Sequence, residues 1–165
     1  MADNQNPEQK VRDHIDMLLK QAGWTIQSMK MIDLSTGQGQ AVREYQTDAG
    51  PADYVLFVDK KAIGVIEAKR EEEGQRLTAH ETQTQGYAAA KLKWINNTQP
   101  MPFLYESTGI VTRFTDGRDP KPRSREVFSF HRPETLREWL SQSDSLRARL
   151  HHIPALNPDK LPAKE

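Results

Sequence analysis

The hydrophobic pattern is most regular between residues 51 and 71. Val55, Leu56, Phe57 and Val58 form one apolar run, and Ala62, Ile63, Gly64, Val65 and Ile66 form a second, with Asp59, Lys60 and Lys61 between them. Short β-branched and aliphatic runs joined by so few polar residues predict the two antiparallel strands of a hairpin. Both runs are apolar at successive positions, as in strands buried on both faces in the middle of a sheet. Asp53 stands at the start of the first strand, and Glu67, Ala68 and Lys69 stand at the exit of the second. A hairpin brings those two ends to one edge of the sheet. Alternation then puts Glu67 and Lys69 on one face and Ala68 on the other.

Before the hairpin, Asn6 and Pro7 read as an N-cap with proline in the first helical turn. Val11, Ile15, Leu18 and Ala22 follow as an apolar stripe, which predicts a helix over 7–22. Gly23 closes it in left-handed conformation, with Trp24 folding back toward Leu19. Residues 24–32 read as a strand, 35–39 as a loop, 42–47 as a second strand and 48–51 as a turn. After Lys69 a charged linker leads into a helix over roughly 77–95, where Ala79, Gln83, Tyr87, Ala90 and Trp94 share a face. Residues 100–107 and 110–114 read as strands around a turn at Thr108 and Gly109, and 127–130 as a last strand. A helix opens at Pro133 with Leu136, Trp139 and Leu140, and a short one follows around 143–150. Strands interspersed with helices in this way predict an α/β fold with a mixed sheet of about five strands flanked by helices.

Composition adds limits rather than direction. At 165 residues the chain fits one domain. Its hydrophobic share of 36% lies below the usual 45 to 50% or so, which points to ends outside the packed unit. Residues 153–165 hold three prolines and no periodicity and read as a linker, leaving 1–152 as the domain. Lys plus Arg and Asp plus Glu balance at 23 each, so nothing draws the whole chain to a polyanion. DNA binding would have to be local or supplied by partners. A basic stretch over 113–132, with Pro120 and Pro122 marking a loop, could contact phosphates or lie solvated. The absence of cysteine excludes disulfides and thiolate metal sites. No apolar run approaches the roughly 20 residues of a membrane helix, and the N-terminus lacks a signal-peptide core, so a cytoplasmic protein without membrane contact is expected.

Two carboxylates and an ammonium at one sheet edge suit metal-assisted phosphodiester hydrolysis. Hard oxygen ligands hold Mg²⁺, the ion polarises the phosphate and activates water, and a lysine stabilises developing charge. The bland alternative is a turn-capping Asp53 beside a solvated Glu67–Lys69 pair. Buried flanking strands weigh against it, because charge placed there needs a reason.

Asp53 followed by Glu67-x-Lys69 resembles the PD-(D/E)xK nuclease motif. The longer stretch ADYVLFVDKKAIGVIEAKRE, with PEQKVRDHIDMLLKQAGW before it and YESTGIVTRFTDG after it, is similar to the N-terminal nuclease domain of type I restriction enzyme R subunits. Gln83-x-x-x-Tyr87 resembles the extra motif that follows ExK in the RecB-like branch of these nucleases. The resemblance implies a restriction-endonuclease-like fold and Mg²⁺-dependent cleavage of double-stranded DNA. Asp53, Glu67 and the Ala68 carbonyl would hold the metal, Lys69 would support the attacking water, and Gln83 and Tyr87 would stabilise the site. It also implies a helicase motor using ATP, absent from this chain, and methyltransferase and specificity subunits as partners. Nucleases of this group often place a further acid on the first helix, which makes Glu8 a possible third site acid; its plain reading is a favourable acid in a first helical turn. Glu44 reads as a solvated edge-strand charge, with a place in the site as the alternative. A same-fold repair nuclease and a non-catalytic DNA-binding or assembly module are the rival functions.

Overall fold

A computed structural model describes residues 6–47, 50–70 and 101–154. The helix expected over 77–95, with Gln83 and Tyr87, and the expected linker from 155 onward lie outside the described residues. Helix α1 spans Pro7–Gln21. Asn6 caps it through its side chain, which accepts from the Glu8 amide, and Pro7 takes the first turn, where a missing N–H costs nothing. Gly23 at φ 91 ends it, and the Trp24 amide returns to the Leu19 carbonyl at 3.0 Å.

Among the described residues, seven strands follow in chain order across one sheet: β1 Thr25–Ser28, β2 Gly39–Thr47, β3 Gly50–Val58, β4 Lys61–Ala68, β5 Phe103–Ser107, β6 Thr112–Asp116 and β7 Arg125–Val127. The expected count of about five was too low. β1 is shorter than the 24–32 expected, because Ser28 caps a 3-10 turn over Met29–Met31. β2 starts at Gly39 rather than 42, taking part of the expected loop, and β3 begins at Gly50. β1 and β2 run parallel, as do β4 and β5, while the other neighbours are antiparallel. The sheet is therefore mixed, with β3 and β4 in its interior as the apolar runs require. Asp59 and Lys60 connect them with φ values of 49 and 64, so both central residues of the hairpin are left-handed, the turn whose twist suits a two-residue loop.

Two cores result. On one face, Tyr54, Leu56, Ile66, Phe103, Tyr105 and Phe114 pack with Ile15 and Leu19 of α1, Trp24 and Leu136. Leu136 belongs to α2, Pro133–Ser141, which α3, Leu146–His151, follows under its Ser145 cap. On the other face Val42, Tyr45, Ala52, Val55, Phe57, Val65 and Met101 form the second cluster. Among the described residues, no helix is long and apolar enough to cross a membrane.

The basic stretch starts at the edge where Glu67 stands, because Arg113 pairs with Glu106 and Glu106 with Glu67, but the loop within it leaves the sheet elsewhere. Asp116, which leads into it, pairs with Phe103 and hence with the Gly64 level of β4, whereas Glu67 pairs with Glu106. At ~3.3 Å per strand residue, the loop leaves the sheet some 10 Å from that edge. Arg118 and Arg125 are also engaged internally. Arg118 binds Asp116 at 2.9 Å and the Trp139 carbonyl at 2.7 Å, and Arg125 faces Asp119 at 3.5 Å.

Candidate active site

Asp53 sits in β3, with Tyr54 beside it paired to Ile66 of β4 and to Arg43 of β2. That register places Asp53 between Glu44 on one neighbour and Glu67 on the other. Strand alternation breaks here. Val42 and Tyr45, three residues apart, pack into one cluster, and so do Ala52 and Val55 opposite them. Strict alternation would put the members of each pair on opposite faces. Glu44 has φ 51, a left-handed conformation that frees residues 43–44 and 53–54 to face α1 instead. The contacts follow that turn. Arg43 pairs with Asp16 of α1, the Tyr54 hydroxyl donates to Asp16 at 2.9 Å, and Arg12 donates to both Glu44 and Asp53 at 3.0 Å.

Asp53 is held from two sides. Its Oδ2 accepts the Ala68 amide at 2.9 Å, and its Oδ1 accepts Arg12 Nη2. The first bond ties the end of β4 to β3 through a side chain, so Asp53 is fixed relative to the strand that carries Glu67 and Lys69. Beyond Ala68, the Lys69 amide donates to the Ser107 carbonyl at 2.8 Å and extends the parallel pairing with β5.

Glu67 and Lys69 lie on the same side of β4, as alternation requires, while Ala68 packs toward the α1 core. Both charged residues are buried, with Lys69 Nζ 3.4 Å from Glu67 Oε1. Burial raises the Glu67 pKa, Lys69 opposes that rise, and the nearby charges of Asp53 and Glu106 reinforce it. Glu106, level with Glu67 on β5 and itself buried, was not anticipated as part of this acidic group.

A cleft of about 300 Å³ opens at this edge, lined by Glu8, Val11, Arg12, Asp53, Ala68, Lys69 and Arg70. Glu8 is exposed rather than turned into the core, and it pairs with Arg70 at 2.8 Å. The structure thus brings Asp53, Ala68 and Lys69 to the cleft, keeps Glu67 buried beside it against Lys69, and puts Glu8 at the cleft wall. Glu44 lies one residue past the last β1–β2 pair, Ser28 with Arg43, so β1 does not cover it, and its side chain is 68% exposed. Arg12 and Asp16 were missed, and no local pattern could have found them: their partners lie 27 to 41 residues away.

Carboxylate and carbonyl oxygens are hard donors of the kind Mg²⁺ takes, and Mg²⁺ commonly uses one or two carboxylates and keeps several waters. Among the described residues, no group of three or more His, Cys, Asp or Glu is arranged to hold a metal. Asp53 and Glu67 offer two carboxylates on adjoining strands, a number that suits the coordination habits of Mg²⁺. Their mutual repulsion is the kind of interaction that a divalent cation relieves.

The chain is 29% identical over 182 residues to the type I restriction enzyme EcoKI endonuclease subunit of Escherichia coli strain K12, covering 81% of this chain and 16% of that one. Among solved structures it is similar to a fragment described as an HsdR subunit of a type I restriction enzyme from Vibrio vulnificus YJ016. That likeness has a TM-score of 0.52 at 18% identity, over 81% of this chain and 25% of the other. It supports the α/β, restriction-endonuclease-like fold. The chain spans only a small part of either relative. A family model for the second domain of the type I restriction enzyme EcoKI endonuclease subunit matches residues 25–140, and the chain belongs to that family.

Proposed function

We propose that this chain is the DNA-cleaving module of a type I restriction complex, hydrolysing phosphodiester bonds of double-stranded DNA with Mg²⁺. The observation that carries this reading is the placement of Asp53 and Glu67 on adjoining strands, with Lys69 paired to Glu67 and lining, with Asp53, an open cleft. Asp53 and Glu67 hold the ion, helped by the Ala68 carbonyl, which leaves the strand on the same side as the amide bonded to Asp53. Bound there, Mg²⁺ supplies Lewis acidity toward the phosphate and lowers the pKa of water.

The protein groups do the rest. Asp53 is pre-oriented by the Ala68 amide on Oδ2 and by Arg12 on Oδ1, so the carboxylate is held at the mouth of the cleft. Lys69 orients the attacking water or stabilises charge developing on the phosphate, and its buried position strengthens that interaction. Gln83 and Tyr87 support the site, and Glu8 contributes from the cleft wall. Recognition of the DNA sequence belongs to methyltransferase and specificity subunits, and translocation to an ATP-driven motor. The chain itself, with zero net charge, binds duplex DNA loosely and in a salt-sensitive manner.

The test is cleavage of plasmid DNA by the assembled complex. Asp53→Asn, Glu67→Gln and Lys69→Ala should each abolish Mg²⁺-dependent cleavage while the circular dichroism spectrum is retained. Wild-type cleavage by any of the three would sink the assignment.

A further inference from the structure

Arg12 reaches from α1 to two carboxylates on adjoining strands. Its Nη1 lies 3.0 Å from Glu44 Oε1 and its Nη2 lies 3.0 Å from Asp53 Oδ1. The Ala68 amide takes the other oxygen of Asp53, so the guanidinium occupies the oxygen that would otherwise be open. Arg12 and Asp53 also line both the 300 Å³ cleft and a neighbouring cavity of about 620 Å³, which Glu44 lines as well. The three side chains grade outward, from 19% exposed at Asp53 through 37% at Arg12 to 68% at Glu44.

Glu44 deepens the case. A side chain this exposed contributes little packing, yet its residue is held at φ 51 within a strand. Left-handed conformations of residues other than glycine are costly and concentrate at functional sites. Here the turn directs Glu44 toward Arg12, where it gives the guanidinium a second carboxylate.

We propose that Arg12 is a positioning residue that competes with a divalent cation for Asp53, and that Glu44 is the partner which retains it when the cation binds. The inference rests on the reading of Asp53 and Glu67 as cation ligands. Without the ion, the guanidinium neutralises Asp53 and keeps the carboxylate from swinging away. With the ion, two positive groups contest one carboxylate, and Arg12 stays tethered through Glu44 alone. Glu44 therefore favours cation binding without being a ligand. Neutralising Arg12 frees Asp53, whereas neutralising Glu44 leaves Arg12 with Asp53 as its one carboxylate. The two substitutions act in opposite directions, which general loss of structure does not produce.

Binding of Mn²⁺ to the 165-residue chain, read from loss of the free-ion electron paramagnetic resonance signal, tests this alongside melting curves. Arg12→Gln should lower the apparent Kd about tenfold, and Glu44→Gln should raise it by a similar factor. Asp53→Asn should abolish binding. If the wild type binds and Asp53→Asn does not, but Arg12→Gln binds no tighter or Glu44→Gln no weaker, the competition is overturned while the cation site stands. If the wild type takes up no Mn²⁺, or Asp53→Asn binds as the wild type does, the cation reading fails and the competition fails with it.

Discussion

Replacing Gly64 with alanine should cost both stability and cleavage, through one contact. Gly64 pairs with Leu56 on β3 and with Phe103 on β5. A Cβ there would lie 2.8 Å from the Phe103 carbonyl oxygen and 3.1 Å from Phe103 Cβ. The oxygen is backbone and cannot rotate away, so β4 and β5 must part by about half an ångström to restore ordinary contact. Overpacking of this kind costs about 1–3 kcal/mol. A loss of ~2 kcal/mol lowers Tm by about 4–8 °C in a domain of this size. Gly64 precedes Glu67 by three residues on the strand that carries Lys69 as well. Catalytic groups tolerate about 0.5 Å of displacement, and 1 Å costs on the order of 100-fold. Cleavage by the assembled complex at 25 °C, where the variant remains folded, should therefore fall roughly tenfold.

Gly39→Ala is the control for that variant. Its Cβ would meet Pro133 at 2.6 Å and Trp24 at 2.9 Å, so stability should fall comparably. Yet Gly39 pairs with Val58, at the far end of β3 from Asp53, and cleavage should be kept. Urea unfolding and plasmid nicking measure the two effects. An unchanged melting point for Gly64→Ala, or equal loss of cleavage by both variants, refutes the reasoning.

Two further outcomes follow from buried polar groups. Burial, helped by the charge of Arg125, pushes the His131 pKa down to about 4 from its ordinary 6.5. The unfolded chain therefore takes up this proton at higher pH than the folded chain, so the stability it contributes is complete above pH 6.5 and is lost as pH falls toward 4. His131→Asn should flatten the urea-midpoint profile across that window, and an unchanged profile would refute the assignment. Asp16, 6% exposed, accepts from the Tyr54 hydroxyl at 2.9 Å and from Arg43 Nε at 3.2 Å. Asp16→Ala should cost about 1–2 kcal/mol in urea unfolding, since the Tyr54 hydroxyl keeps the Arg12 carbonyl and half-exposed Arg43 regains water, and no measurable loss would contradict that.

The central hairpin was readable because its information is local. Two double-sided apolar runs force interior strands, and the strand period then fixes which of Glu67, Ala68 and Lys69 share a side. Helix α1 was readable for the same reason, through Asn6, Pro7 and Gly23. The strand limits were less so. β2 and β3 extend through Gly39 and Pro51, residues whose propensities oppose a strand, because tertiary pairing outweighs them. The hairpin put Asp53 beside Ala68, but its contacts with Glu44 and Arg12 were not readable. They depend on a left-handed Glu44 that local propensity disfavours, and on a guanidinium supplied by a helix 41 residues away. Glu106 joins the acidic group through parallel pairing of β5 with β4, a register that the sequence does not specify.

The most direct test of the proposed site is anomalous diffraction from crystals of the chain grown with Mn²⁺. A single strong peak within coordination distance of both the Asp53 and Glu67 carboxylates, absent from crystals of Asp53→Asn, is the expected result. No peak between those two residues at saturating Mn²⁺, or a peak held by other side chains, would contradict the reading of this sheet edge as a cation-dependent nuclease centre.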